Sequence, residues 1–249
     1  MTSTLPVPRL VEALREQTEA LARAAVGRPP EGRVPTCPDW TLRTLVGHVG
    51  QEHRWAAGIV RAGEQLPVPD PKEADPGAPE GWAEWLHEGA EQLVRAVGEA
   101  GGEAEIRTAF GPRSAAFVLR RMVSDTCIHH YDAAGASFAI AEDLAADSIG
   151  ETLDLLAAPG LEAVRPALAE LPGAGERLGF RPPEGDGWLI TRAPEAVRWE
   201  RGGPLEADVV VSAPVAHLML LLTRRIPPED VRVTGDRTLL DHWLTHTAL

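Results

Sequence analysis

The sequence predicts an α+β protein: a bundle of helices over residues 1–160, followed over residues 161–249 by a small α+β domain with an antiparallel sheet. Three observations lead there. Before residue 160, apolar residues recur at three- and four-residue intervals, which is the spacing of one helix face. Between 159 and 187 Gly, Pro and Glu accumulate, as in a link between domains. Beyond 187 the apolar residues come in short runs rich in Val, Ile and Trp, separated by turn signals, as in strands.

The first helix is expected over 7–26, with Leu10, Val11, Leu14, Leu21 and Ala25 on its apolar face and Gly27-Arg28-Pro29-Pro30 ending it. Pro35 and Pro38 bar a helix from the connector that follows, and the Thr41 hydroxyl suits the cap of a second helix running to Arg61. That helix carries Leu42, Leu45, Val46 and Val49, with His48 at the edge of the stripe and His53 turned toward solvent. Residues 64–80 hold five prolines and five acidic groups and read as a surface loop or mobile lid. A third helix, 82–100, carries Trp82, Trp85, Leu86, Leu93, Val94 and Val97 and stops at Gly101-Gly102. Pro112 suits the first turn of a fourth, which runs to about Ala134 with Gly135 at its exit. A fifth covers 142–158 through Leu144, Ile149, Leu153 and Leu156. In the second half, strands are expected at 188–191, 197–200, 208–211 and 231–233, with Arg201-Gly202-Gly203 as a turn. Helices over 215–223 and from Asp236 to about His246 complete the unit.

Composition narrows the function classes. With 37 acidic against 24 basic residues the net charge is −13, which opposes attraction to phosphate backbones and anionic lipid, so no nucleic-acid or membrane partner is expected. No run approaches the 18 apolar residues of a spanning helix, and the first residues lack the pattern of a secretory signal. Two cysteines, Cys37 and Cys127, in unlike contexts indicate neither a disulfide framework nor a cysteine metal site, so a cytoplasmic location is expected.

The chemistry concentrates in the fourth helix. Asp125 and His129 stand four residues apart, one turn along the same face, and emerge from an otherwise apolar surface beside Val118 and Met122. Such a pair suits a metal ion and equally suits a helical ion pair. His48 is the candidate third ligand, or else a histidine at the core's edge satisfied by its neighbours. Asp132, one turn beyond His129, can orient a ligand imidazole or pair locally. In the second half, Arg224 and Arg225 are candidates for gripping a substrate carboxylate, because a guanidinium binds one bidentately; a solvated helix end is the other reading.

Three stretches resemble a known family. They are Val34-Pro35-Thr36-Cys37-Pro38-Asp39-Trp40-Thr41 with Leu45-Val46-Gly47-His48; Gly111-Pro112-Arg113-Ser114-Ala115-Ala116-Phe117 running on to His129-His130-Tyr131-Asp132-Ala133; and Val233-Thr234-Gly235-Asp236-Arg237-Thr238-Leu239-Leu240. In that order they resemble the mycothiol-dependent maleylpyruvate isomerase family, within the wider DinB-like superfamily of metal-binding four-helix bundles.

The resemblance implies a DinB-like helical bundle holding zinc or another divalent metal, and a sterol-carrier-like C-terminal domain. Carried over residue by residue, the ligands are His48, Asp125 and His129, with Glu52 and His130 as substitutes. The family more often has glutamate in place of Asp125. Two imidazoles and one carboxylate leave a zinc position open, as in catalytic sites. Cys127 points to another helix face than Asp125, and Cys37 precedes the second helix, so the nucleophile is expected to be a small-molecule thiol, mycothiol in the family. The implied activity is isomerisation of, or S-transfer to, a small electrophile. The alternative is a non-catalytic protein in which the metal stabilises the bundle and a small ligand is bound. A monomer or weak homodimer is expected.

Overall fold

A computed structural model describes residues 5–108, 111–163, 165–202 and 206–247; the turn expected at Arg201-Gly202-Gly203 falls partly on Gly203, outside the described residues. Leu5–Ala139 and Ile140–Leu249 form two compact units. The division precedes the boundary expected at 160 because α5 (Glu142–Leu156) packs on α6 (Val215–Leu222), inside the second unit. The helical period of α5 shows that it has an apolar face but not which domain that face covers.

The first unit contains α1 (Val7–Ala25), a hairpin of β1 (Arg33–Val34) and β2 (Cys37–Thr41), α2 (Leu42–Ala62), α3 (Trp82–Ala100), a second hairpin of β3 (Glu105–Thr108) and β4 (Gly111–Ser114), and α4 (Ala115–Ala134). Both α1 and α2 pack against α3 and α4, which closes a four-helix ring. Its interior is filled by Leu10, Leu14, Leu21, Leu45, Val46, Leu86, Leu93 and Leu119, all fully enclosed. Each contributes about 2 kcal/mol from the apolar area removed from water.

Local signals set the helix starts. At α2 the Thr41 hydroxyl accepts the Thr44 N–H, and Gly63 leaves the helix with φ 68°. α4 begins three residues later than its proline suggested. Pro112 lies in β4, paired with Arg107, and the cap is Ser114, whose hydroxyl accepts the Phe117 N–H. Residues 64–80 form the expected loop, and it is strapped along the bundle. Arg107 bonds the backbone of Gly63 and Gln65, and Trp55 Nε1 donates to the Pro67 carbonyl at 2.8 Å. Arg43 and Trp82 both donate to the carbonyl of Gly77.

In the second unit β5 (Glu176–Arg181), β6 (Trp188–Arg192), β7 (Val197–Arg201), β8 (Val209–Ser212) and β9 (Arg232–Gly235) form one sheet in the order β7-β6-β5-β8-β9. The sheet is antiparallel as expected in three of its pairings, and at the fourth β8 returns beside β5 and parallel to it. β5 lies within the Gly- and Pro-rich stretch read as a link. Phe180, Ile190, Val211, Leu240 and Trp243 are fully enclosed, the last two from α7 (Arg237–His246), which Asp236 caps. Arg192 anchors the turn before β5 by donating to the carbonyls of Glu170, Leu171 and Pro172. Among the described residues no helix is long and apolar enough to cross a membrane.

The approach of α2 to α3 depends on Gly50. A Cβ there would run into the indole of Trp85, and that ring is fixed by its Nε1–H donating to Val46 at 3.2 Å and by the Arg54 guanidinium stacked 3.8 Å from its centroid. On the α3 side, a Cβ at Gly89 would meet the Gly50 carbonyl oxygen at 2.8 Å. Gly50→Ala is therefore expected to destabilise the protein by about 2 kcal/mol, although alanine is the better helix former, as a lowered midpoint of denaturant unfolding would show.

Candidate metal centre

The packing of α2 on α4 faces His48 toward Asp125 and His129. One ligand atom from each of the three lies within 4.8 Å of the others. The His129 Nε2 and Asp125 Oδ2 atoms are 3.7 Å apart, and the two imidazole rings stand perpendicular with centroids 5.0 Å apart. Among these residues, His48 Nδ1 and Asp125 Oδ2 are buried with no hydrogen-bond partner among the described residues. Burying such atoms unpaired is costly, so the donor set fits a cation that satisfies them together.

His129 is oriented from behind. Its Nδ1–H donates to Asp132 Oδ2 at 2.8 Å, which leaves Nε2 as the lone-pair nitrogen on the side of Asp125. Asp132 is itself held by the Thr36 hydroxyl at 2.5 Å and by the Cys37 thiol at 3.6 Å, so β2 and the turn before it brace the ligand helix. The His129–Asp132 contact joins residues one turn apart, so it suits both readings of Asp132, orientation of the imidazole and local pairing. Trp40, half-buried on β2, stacks on His129 at 5.6 Å and meets His48 edge-on at 4.8 Å. Asp125 Oδ1 accepts a hydrogen bond from Arg121 Nη2 at 3.2 Å. Trp40 and Arg121 carry no metal-ligand signature in the sequence; the four-residue spacing of Arg121 from Asp125 was the one available pointer.

Of the substitute ligands, His130 is engaged elsewhere, and Glu52 borders the cluster without joining it. His130 Nδ1 donates to Gln17 at 2.9 Å and its ring packs edge-on against Phe138. Glu52 comes no closer to His48 Nδ1 than 3.9 Å. His53 is buried, not exposed: its Nε2 bonds Thr126 Oγ1 at 2.8 Å, because α2 meets α4 on this face as well as on that of His48. Arg224 and Arg225 belong to the second unit, at the end of α6. Arg225 N–H donates to Leu220 and Arg224 N–H to Leu221, the paired bonds of a Schellman turn, with exposed Arg224 at φ 66° where glycine is usual. Arg225 Nη1 donates to the Thr223 carbonyl at 2.9 Å.

Burial pushes His48, His53 and His130 down to about 4, against a weaker opposing pull from Asp125 on the first two. All three are neutral at pH 7, the form in which an imidazole binds metal. Burial, with Asp125 adding to it, raises Glu52 to about 7. For Asp125 burial acts upward, but His129 and Arg121 together hold the carboxyl below its ordinary range.

These shifts carry a sign. Between pH 6.5 and 4 the unfolded chain protonates histidines that the fold keeps neutral, so stability falls as pH is lowered through that window. Glu52 opposes: its contribution is lost as pH rises from 4.5 to 7. Three histidines outweigh one carboxyl. The unfolding free energy of metal-free protein is expected to drop from pH 6.5 to 5, and His53→Gln to flatten that slope by about 1 kcal/mol per pH unit, as denaturant titrations at several pH values would show.

No curated protein sequence matches the chain. Two solved structures share its fold, the mycothiol-dependent maleylpyruvate isomerase and a histidine-to-alanine mutant of that enzyme. Each covers 94% of this chain and 97% of its own at 19% identity, with TM-scores of 0.62 and 0.63. A family model described as the mycothiol maleylpyruvate isomerase N-terminal domain matches residues 9–134, the stretch that contains the four bundle helices, but for the first two residues of α1, and every residue of the candidate centre. The chain belongs to the mycothiol-dependent maleylpyruvate isomerase family.

Proposed function

We propose that the protein is a zinc-dependent enzyme that activates the thiol of mycothiol for isomerisation of, or S-transfer to, a small electrophilic substrate. One observation carries the reading: His48, Asp125 and His129 converge from two helices with a buried carboxylate oxygen and a buried ring nitrogen that lack hydrogen-bond partners among the described residues. No fourth metal donor joins them among the described residues. Three protein ligands are the arrangement of catalytic zinc, whereas a metal that merely stabilises a fold takes four. This favours the enzyme over a metal-stabilised binding protein.

A divalent metal there supplies the Lewis acidity that makes a bound thiol a thiolate near neutral pH. The chain's own residues prepare that chemistry. His48 is kept neutral by burial, Asp132 fixes the tautomer of His129, and Trp40 walls one side of both rings. In an isomerisation the thiolate adds to the double bond of an unsaturated acid, the bond that has become single rotates, and loss of the same thiolate restores the alkene. Arg224 and Arg225 are proposed to grip the carboxylate of such a substrate.

Elemental analysis after dialysis is expected to find about one metal per chain in the wild type and little in Asp125→Ala and His129→Ala. Metal content unchanged by both substitutions would sink the site. Asp132→Asn is expected to weaken zinc binding about 10- to 100-fold, read by competition with a chromophoric chelator. Arg224→Gly relieves a left-handed backbone, so it is expected to stabilise the protein by about 1 kcal/mol while lowering turnover of maleylpyruvate with mycothiol.

A further inference from the structure

Arg121 and Asp125 are one turn apart on α4, with the cation on the N-terminal side. In that order the pair opposes the helix dipole and is the weaker of the two arrangements for stabilising a helix. The contact is also one-ended. A guanidinium can take both oxygens of a carboxylate in parallel, yet Arg121 Nη2 hydrogen-bonds Oδ1 at 3.2 Å, and Oδ2, 3.7 Å from His129 Nε2, is buried with no hydrogen-bond partner among the described residues. Both side chains are largely enclosed, at 29% and 16% exposure, so the bond is shielded from the competition with water that makes exposed pairs negligible.

An aspartate offers a metal two oxygens on a short stem. If both coordinate, a site with two imidazoles takes four donors from protein atoms alone, and an exogenous ligand can enter only as a fifth, on a crowded metal. We infer that Arg121 is a positioning residue: by occupying Asp125 Oδ1 it makes Asp125 a single-oxygen ligand and keeps the fourth metal position open. The inference rests on the metal reading given above. It assigns the selection of one carboxylate oxygen to a second side chain, so that Asp132 behind His129 and Arg121 beside Asp125 orient two of the three ligands.

The test is the absorption spectrum of the cobalt-substituted protein, which reports coordination number and which a purely structural arginine would not alter. With cobalt alone as the probe, the wild type is expected to show the intense visible bands of a four-coordinate site, completed by water. Arg121→Gln is expected to bind cobalt and show the weaker bands of a five-coordinate site, as Asp125 closes down on the metal with both oxygens. Arg121→Lys, which keeps a cation near Oδ1, is expected to recover part of the wild-type intensity and serves also if the glutamine variant fails to fold. Zinc affinity of Arg121→Gln is expected to be undiminished, since a neighbouring positive charge has been removed. Loaded variants whose spectra match the wild type would overturn the role of Arg121 while leaving the metal centre standing. A wild type that binds no cobalt would overturn both.

Discussion

The enclosed carboxylate of Asp132 is the contact on which the arrangement of the centre depends. Its side chain has no exposure, and it accepts from His129, Thr36 and Cys37. A buried carboxylate left without these donors would be costly, so the hairpin that contains β2 and the helix that contains His129 are tied to one geometry. Trp40 follows from the same tie, because β2 delivers it against both imidazoles. The centre is in this sense built from three elements, although the candidate ligands lie on α2 and α4 alone.

The electrostatics are consistent with preparation for a cation. Burial keeps His48 neutral, while Asp125 is held ionised against burial by His129 and Arg121. A neutral imidazole and an ionised carboxylate are the protonation states that ligation requires, so neither has to give up a proton near neutral pH when metal enters. Two unsatisfied buried atoms are the cost of that readiness, and they lie where an ion would satisfy them.

Much of this was legible in the sequence where one period dominates. The apolar stripes of α1, α2 and α3 located those helices closely, and the four-residue spacing of Asp125 and His129 put both on one face of α4. The elements that escaped are those whose cause is not local. The strands of the two hairpins in the first unit are short, and β2 and β4 contain Pro38 and Pro112, which mask a strand signal. β5 lies among glycines and prolines and is recognisable as a strand only through its pairing with β6 and β8. His53 was read as exposed because a helix with one apolar stripe has one buried face, whereas α2 packs against both α3 and α4. Trp40 and Arg121 were missed as site residues for the same reason: each acquires its role from a neighbour that tertiary packing or side-chain orientation supplies.

The loop strapped along α2 has a consequence for chemical handling of the protein. Of its 24 basic residues, Lys72 is the sole lysine, the other 23 being arginines, and it lies in that loop, where its backbone N–H is held by Asp70 at 2.8 Å. Side-chain amine chemistry is thereby confined to one exposed position beside the bundle. A dye, a crosslinker or a surface tether can be attached there in a single defined orientation, and a lysine-specific protease has one bond to cut, between Lys72 and Glu73.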